Sequence, residues 1–382
     1  MSMHFFISAG EASGDLHASE LITALRIACP QSRFTFLGGD RMAQAAGTEP
    51  LIHFRDMAYM GFVDVALHLR AVLSNLSRAR AVLRRKGDDR PDALILIDYP
   101  SFNLKLADTA ASEGIPVFWY ISPKVWAWKT GRIKAMQRVV DHVYSILPFE
   151  PEFMARHGFT RITYVGNPSL EEIDRRVAAL PSRNAWMTAH RLDPRRPMLA
   201  LVPGSRVGEI RDNLPVMAEV ARLHPEMQVV VAGAPSVAED VYRRYGPGLQ
   251  VVGDASFELM HYAEAALVTS GTATLECALL GTPQVACYRS SGHRIVYDVF
   301  KHILKIPFVT LPNLIAGHQV IAELLIQHCN PTEMEAELAP LLVADSPERR
   351  RMIEGYAEIR RRLGTSRAAA TAAAAITDAL KK

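Results

Sequence analysis

The four cysteines of this chain, Cys29, Cys277, Cys287 and Cys329, form no CxxC pair. Their scatter excludes a zinc ribbon or a disulfide framework and points to a reducing compartment. No segment approaches the roughly 18 uninterrupted apolar residues of a membrane span, and the short apolar run at the N-terminus has no basic stretch before it. Any membrane contact is therefore expected to be peripheral. A net charge of only +3 excludes a strongly basic nucleic-acid binder, and 49% hydrophobic residues exclude a disordered chain. No G-x-G-x-x-G follows the first apolar run, which speaks against a nicotinamide dehydrogenase. No D-x-D motif occurs, and His17 and Glu20 at helical spacing lack a third partner, so no metal site is indicated.

What is present is a large globular chain. Its 382 residues suggest two or three domains with ample cores. Short apolar runs alternate with longer amphipathic stretches: HFFIS, RFTFLG, DALILID, PVFWYIS and ITYVG, then MLALVPG, QVVVAG, LQVVG, AALVTSG and PQVACY. Such runs belong to parallel strands covered by helices on both faces. The fold class is therefore α/β, with two doubly wound, Rossmann-like sheets facing a cleft. A Gly-Asn-Pro turn at 166–168 separates the two series. The predicted domains are 1–168, completed by a C-terminal helix at about 366–382, and 169–365.

Ligands of open α/β sheets bind at the carboxyl ends of the strands, so the post-strand loops carry the chemistry. In the later half, LVPGSR ends on Ser205 and Arg206 at a helix start, where Arg206 can fork onto phosphate oxygens beside helix N–H groups. SGTATLE repeats the design with Ser270, Gly271, Thr272 and Thr274, and Glu276 suits the hydroxyls of a ribose. Asn313 in TLPNLIAG adds a polar contact. Each loop alone reads more readily as a capped turn than as a ligand site, and Glu276 as a residue complementing the helix dipole; two such loops on one sheet favour a ligand.

The first turn, GEASGD at 10–15, has the form of a phosphate cradle but carries Glu11 and Asp15. A carboxylate about 4 Å from a phosphate charge repels it by roughly 4 kcal/mol at an effective dielectric near 20. A helix terminus attracts it by only about 0.3 to 2 kcal/mol. The turn therefore suits the hydroxyls of a neutral sugar, while Ser13 and Asp15 read equally as caps of the first helix. Asp98 ends the nearly all-apolar strand of PDALILIDYPSFN and is the favoured general base, with an Asx turn as its structural alternative.

Six segments together carry a resemblance: GEASGD at 10–15, IDYPSFN at 97–103, YISPKVWAWK at 120–129, LVPGSR at 201–206, SGTATLE at 270–276 and TLPNLIAG at 310–317. In order and spacing, over almost the whole chain, the set resembles the lipid A disaccharide synthases. The resemblance implies a GT-B architecture and an inverting glycosyltransferase without cofactor or metal. The implied donor is UDP-2,3-diacylglucosamine and the acceptor 2,3-diacylglucosamine 1-phosphate; the products are a β-1,6-linked disaccharide 1-phosphate and UDP. By the same implication UDP lies against Ser205, Arg206, Ser270, Gly271, Thr272, Thr274, Glu276 and Asn313. The acceptor lies against Gly10, Ser13, Gly14, Asn103, Lys129 and Arg132. Asp98, with Asp15 and Glu11 as less favoured candidates, takes the proton of the attacking 6-hydroxyl.

Acylated substrates require a way to meet a membrane surface. Residues 63–86 place Val65, Leu69, Val72, Leu76 and Leu83 on one helical face and Arg70, Arg78, Arg80, Arg84 and Arg85 roughly opposite. This pattern reads either as a helix lying on anionic lipid or as one covering the sheet. Residues 293–308, where Tyr297, Phe300, Ile303 and Leu304 mix with Lys301 and Lys305, pose the same choice; Trp126 and Trp128 read as packing residues. The implied location is cytoplasmic, peripheral to the inner face of the inner membrane, and a homodimer is allowed. Two rival readings remain: a UDP-sugar 2-epimerase, and a non-catalytic sugar-nucleotide or lipid-binding module.

Overall fold

The computed structural model describes residues 2–57, 69–126, 130–289 and 307–381. Val65, Trp128, Lys129, the side chain of Leu69, and Tyr297, Phe300, Lys301, Ile303, Leu304 and Lys305 lie outside the described residues. The chain divides into two compact units, Met1–Pro168 with Thr365–Lys382, and Ser169–Gly364.

The first unit is built on seven strands: β1 (His4–Ala9), β2 (Arg33–Gly38), β3 (Ile52–His53), β4 (Ala93–Ile97), β5 (Val117–Tyr120), β6 (His142–Ser145) and β7 (Ile162–Tyr164). They pair in the order β3-β2-β1-β4-β5-β6-β7, parallel throughout. The ALILI run of β4 is apolar at every position because it feeds two cores. Ile95 and Ile97 pack with Phe5, Ile7 and the helix Ala12–Ala28; Leu94 and Leu96 pack with Phe6 and the helices Leu69–Leu83 and Pro100–Ser112. Ala368, Ala372, Ala373 and Ile376 of the C-terminal helix Ala368–Leu380 join the first of these cores, where small side chains let the helix approach closely.

The helix Leu69–Leu83 turns its apolar stripe inward. Leu76, Ala79, Val82 and Leu83 are buried, and each leucine so buried contributes roughly 1.5–3 kcal/mol. Core packing therefore accounts for Leu76 and Leu83 of the predicted stripe; Val72 is half-buried, and Leu73, outside the stripe, is exposed. Among the described residues no helix is long and apolar enough to cross a membrane.

The second unit holds β8 (Met198–Val202), β9 (Gln228–Gly233), β10 (Gln250–Gly253), β11 (Ala265–Thr269), β12 (Gln284–Tyr288) and β13 (Ala322–Leu325). Their order is β10-β9-β8-β11-β12-β13, again all parallel. In each sheet the order grows outward in both directions from the first strand. The direction of winding therefore reverses between β1 and β4, and between β8 and β11, and such switch points are where open α/β sheets bind ligands.

Candidate active site

At the first switch point the chain leaves β1 through Gly10 and Glu11 and leaves β4 through Asp98 and Tyr99. Asp98 and Tyr99 both adopt left-handed backbone, with φ of 41° and 46°, which is rare for residues other than glycine. Asn103 holds this turn: its Nδ2 donates to the Asp98 carbonyl at 2.8 Å and to the Ile97 carbonyl at 3.3 Å, and its Oδ1 accepts from the Ser8 hydroxyl at 2.7 Å. The Tyr99 ring then lies over Gly10 so closely that a Cβ there would sit 2.4 Å from it. Only glycine fits.

Asp98 is half-buried. Burial, and then the charge of Glu11, raise its carboxyl above the ordinary aspartate value; Lys124, the Tyr99 N–H and Arg132 pull it partly back. Arg132 also donates to Ser101 Oγ at 3.1 Å, and Ser13 Oγ donates to Glu11 at 2.7 Å. The accessible groups here are thus two carboxylates, two cations and two hydroxyls. This composition can take a proton from a sugar hydroxyl and hold an anionic substituent beside it.

Four of the residues predicted at this switch point also have structural roles. Asp15 is 4% exposed, and its carboxylate accepts the backbone N–H groups of Gly39, Arg41 and Met42 at 2.7, 3.1 and 3.2 Å. It caps the helix Asp40–Ala46, not its own helix. Asn103 is completely buried and positions the Asp98 turn from within. Gly10 is covered by Tyr99, and Gly14 is buried against Ala9 and Ile97, so both serve packing.

At the second switch point the loops after β8 and β11 lie side by side, because those strands pair directly. The β8 loop passes through Gly204, with φ of 116°, into the helix Val207–Ala221. Glu209 folds back over it: its carboxylate accepts the Ser205 N–H at 2.9 Å and pairs with Arg206 at 3.3 Å. A Cβ on Gly204 would meet the same carboxylate at 2.5 Å. The loop thus already holds an anionic oxygen with the donors expected to face a phosphate. The β11 loop exposes Gly271 and Thr272 at the start of the helix Thr272–Leu280, with Ser270 half-exposed beside them.

Glu276, one turn into that helix, is half-buried, and burial raises its carboxyl; Arg176 opposes that shift and Glu172 adds to it. Two of the predicted residues here are buried. Thr274 is completely buried, its hydroxyl donating to the Gly271 carbonyl at 2.8 Å. Asn313 is also completely buried, binding the Ile321 carbonyl and Glu323 through Nδ2 and the Val320 and Ile321 N–H groups through Oδ1. Both shape the loops from inside.

Sequence reasoning did not single out Lys124, Ser101 or Glu209. Lys124 follows a Ser-Pro turn four residues beyond the end of β5, where no apolar run points to it. Glu209 stands in the first turn of its helix, where acidic residues complement the dipole.

A family model described as Lipid-A-disaccharide synthetase matches residues 5–376. The chain is 40% identical over 382 residues to the lipid-A-disaccharide synthase of Myxococcus xanthus, covering 98% of this chain and 97% of that one. It is 38% identical to that of Acidobacterium capsulatum, covering 97% and 94%. Among solved structures, the UDP-GlcNAc 2-epimerase from Neisseria meningitidis bound to UDP-GlcNAc is similar with a TM-score of 0.63 at 12% identity, over 100% of both chains. CalG4, the calicheamicin glycosyltransferase, is similar with a TM-score of 0.60 at 16% identity, over 100% of this chain and 99% of that one. The solved structures bear out the GT-B architecture of two parallel-sheet α/β domains, and the sequence relatives go further: the chain belongs to the lipid-A-disaccharide synthase family, glycosyltransferases that make the lipid A disaccharide.

Proposed function

We propose that the chain transfers 2,3-diacylglucosamine from UDP to the 6-hydroxyl of 2,3-diacylglucosamine 1-phosphate, with inversion, giving the β-1,6-linked disaccharide 1-phosphate and UDP. The observation that carries this reading is the difference between the two switch points. The first presents Asp98 and Glu11 with Lys124 and Arg132 around them. The second presents Ser205, Arg206 and the start of the helix Thr272–Leu280, a set of anion donors.

In this reading the second unit binds the UDP part of the donor. Arg206 and the backbone of both loops hold the diphosphate, and Glu276 faces the ribose hydroxyls. The first unit binds the acceptor, with Arg132 at the 1-phosphate and Ser13 at the sugar hydroxyls. Asp98 accepts the proton of the 6-hydroxyl as its oxygen bonds to the anomeric carbon; the bond from that carbon to the diphosphate breaks, and its electrons leave with UDP. Arg206 and the loop N–H groups stabilise the departing charge. The exposed Leu73 and the arginines of the helix Leu69–Leu83 form the part of the surface that meets anionic lipid on the inner face of the membrane.

Incubation with UDP-2,3-diacylglucosamine, with and without the acylated sugar 1-phosphate, tests the assignment. UDP release that depends on the acceptor is the expected result. Acceptor-independent formation of an epimerised sugar would contradict it.

A further inference from the structure

Beyond the residues that face substrate, one buried carboxyl is tied to the Asp98 turn. Glu150 opens the helix Glu150–Arg156 and is 2% exposed. Its Oε1 accepts from Ser122 Oγ at 2.9 Å and from Trp126 Nε1 at 3.0 Å, and its Oε2 bonds Ser145 Oγ. Three segments therefore meet on one carboxyl: the loop after β5, the end of β6, and the helix itself.

The loop after β5 is the one that matters to Asp98. Its first residue, Ile121, has φ of 64°, a conformation that a β-branched side chain adopts only under constraint from its surroundings. The Ile121 carbonyl accepts the Asp98 N–H at 3.2 Å, and the Ile121 N–H donates to the Tyr144 carbonyl at 3.0 Å. The next residue is Ser122, held by Glu150. Two positions further stands Lys124, whose charge acts on both Asp98 and Glu150.

We propose that Glu150 is a positioning residue for the transfer reaction: by anchoring Ser122 and Trp126 it holds the left-handed turn at Ile121, and through that turn fixes the Asp98 backbone and keeps Lys124 beside it. The inference rests on the reading of Asp98 as the base.

The hydrogen-bond pattern also accommodates a neutral Glu150. Ser145 Oγ accepts the Leu147 N–H at 3.2 Å and lies 2.9 Å from the Leu147 carbonyl. A hydroxyl has one hydrogen to give. If it donates to Leu147, the bond to Glu150 must be donated by a protonated Oε2. Burial raises the Glu150 carboxyl to about 7 against the pull of Ser145, Ser122, Trp126 and Lys124, so the neutral form is readily populated. Glutamine, with an amide in place of the protonated oxygen, reproduces that arrangement; alanine cannot.

The test compares Glu150→Ala, Ser122→Ala and Glu150→Gln with the unmodified enzyme. Glu150→Ala is expected to lower kcat roughly 100-fold, the scale of a small misplacement of reacting groups, with UDP affinity unchanged. The acid limb of its pH profile should move upward as Lys124 leaves Asp98 to Glu11, with Arg132 as the remaining cation. Glu150→Gln should retain nearly all activity. Ser122→Ala, which leaves the packing largely intact, should share the loss in part and keeps the test informative if Glu150→Ala does not fold. Exchange of the Asp98 amide hydrogen should accelerate in Glu150→Ala and Ser122→Ala, a readout that does not depend on what Asp98 does. Unchanged exchange and an unmoved acid limb in folded Ser122→Ala would overturn the proposal, as would a Glu150→Gln enzyme as damaged as Glu150→Ala. Asp98→Asn assayed alongside separates the two claims: full turnover in that variant removes the base, whereas the exchange result still decides the anchor.

Discussion

Asp98→Asn is expected to bind UDP normally and to turn over about 10²- to 10⁴-fold more slowly, the usual contribution of a positioned general base. Asparagine keeps the size and the turn-forming ability of the side chain, and the bonds that Asn103 makes to the turn go to backbone oxygens. The loss therefore reports the missing proton acceptor and not a collapsed loop. The direction of the pH dependence follows from the surroundings of the carboxyl. Burial and Glu11 raise it, so the base becomes protonated at a higher pH than an exposed aspartate would. Activity should accordingly fall with acidification on a limb lying above the ordinary value of 3.8. Calorimetric titration with UDP and steady-state rates across pH measure the two halves of this expectation.

Asp15→Ala is expected to act on stability. The substitution leaves the N–H groups of Gly39 and Met42 buried without an acceptor, at about 1–3 kcal/mol each, so a total near 2–6 kcal/mol is expected. In a unit of this size that corresponds to a fall of roughly 4–24 °C in its melting temperature. Calorimetry of the full chain should show the transition of the first unit moving down, while kcat of the folded enzyme stays close to normal. An intact melting temperature with abolished turnover would instead return Asp15 to the reaction.

The contrast between these two aspartates shows how far the sequence alone can be read. The alternation of apolar runs and amphipathic stretches marked ten of the strands, because parallel strands covered by helices are mostly apolar. β3, β6 and β13 escaped notice: each is short, and polar or charged residues (His53, His142 and Ser145, Glu323) interrupt its apolar run. Asp98 was legible because a carboxylate ending an apolar strand has few places to go but the loop edge. Asp15, Asn103, Thr274 and Asn313 look the same in sequence, since a short polar side chain beside a strand end serves equally to face a ligand or to satisfy backbone groups from within. Direction is decided by tertiary packing, and here it turned all four inward. The left-handed backbone at Asp98, Tyr99 and Ile121 had no signal either, because none of these positions carries glycine. Glu150, buried after a Pro-Phe turn, carried no signal in the sequence; its place depends on three segments that meet only in the folded unit.

The most direct test of the division between anion-binding and proton-accepting loops is hydrogen–deuterium exchange with saturating UDP. Protection concentrated at residues 203–209 and 270–276, with residues 10–15 unaffected, is the predicted result. Protection of residues 10–15 in place of those two loops would contradict the account.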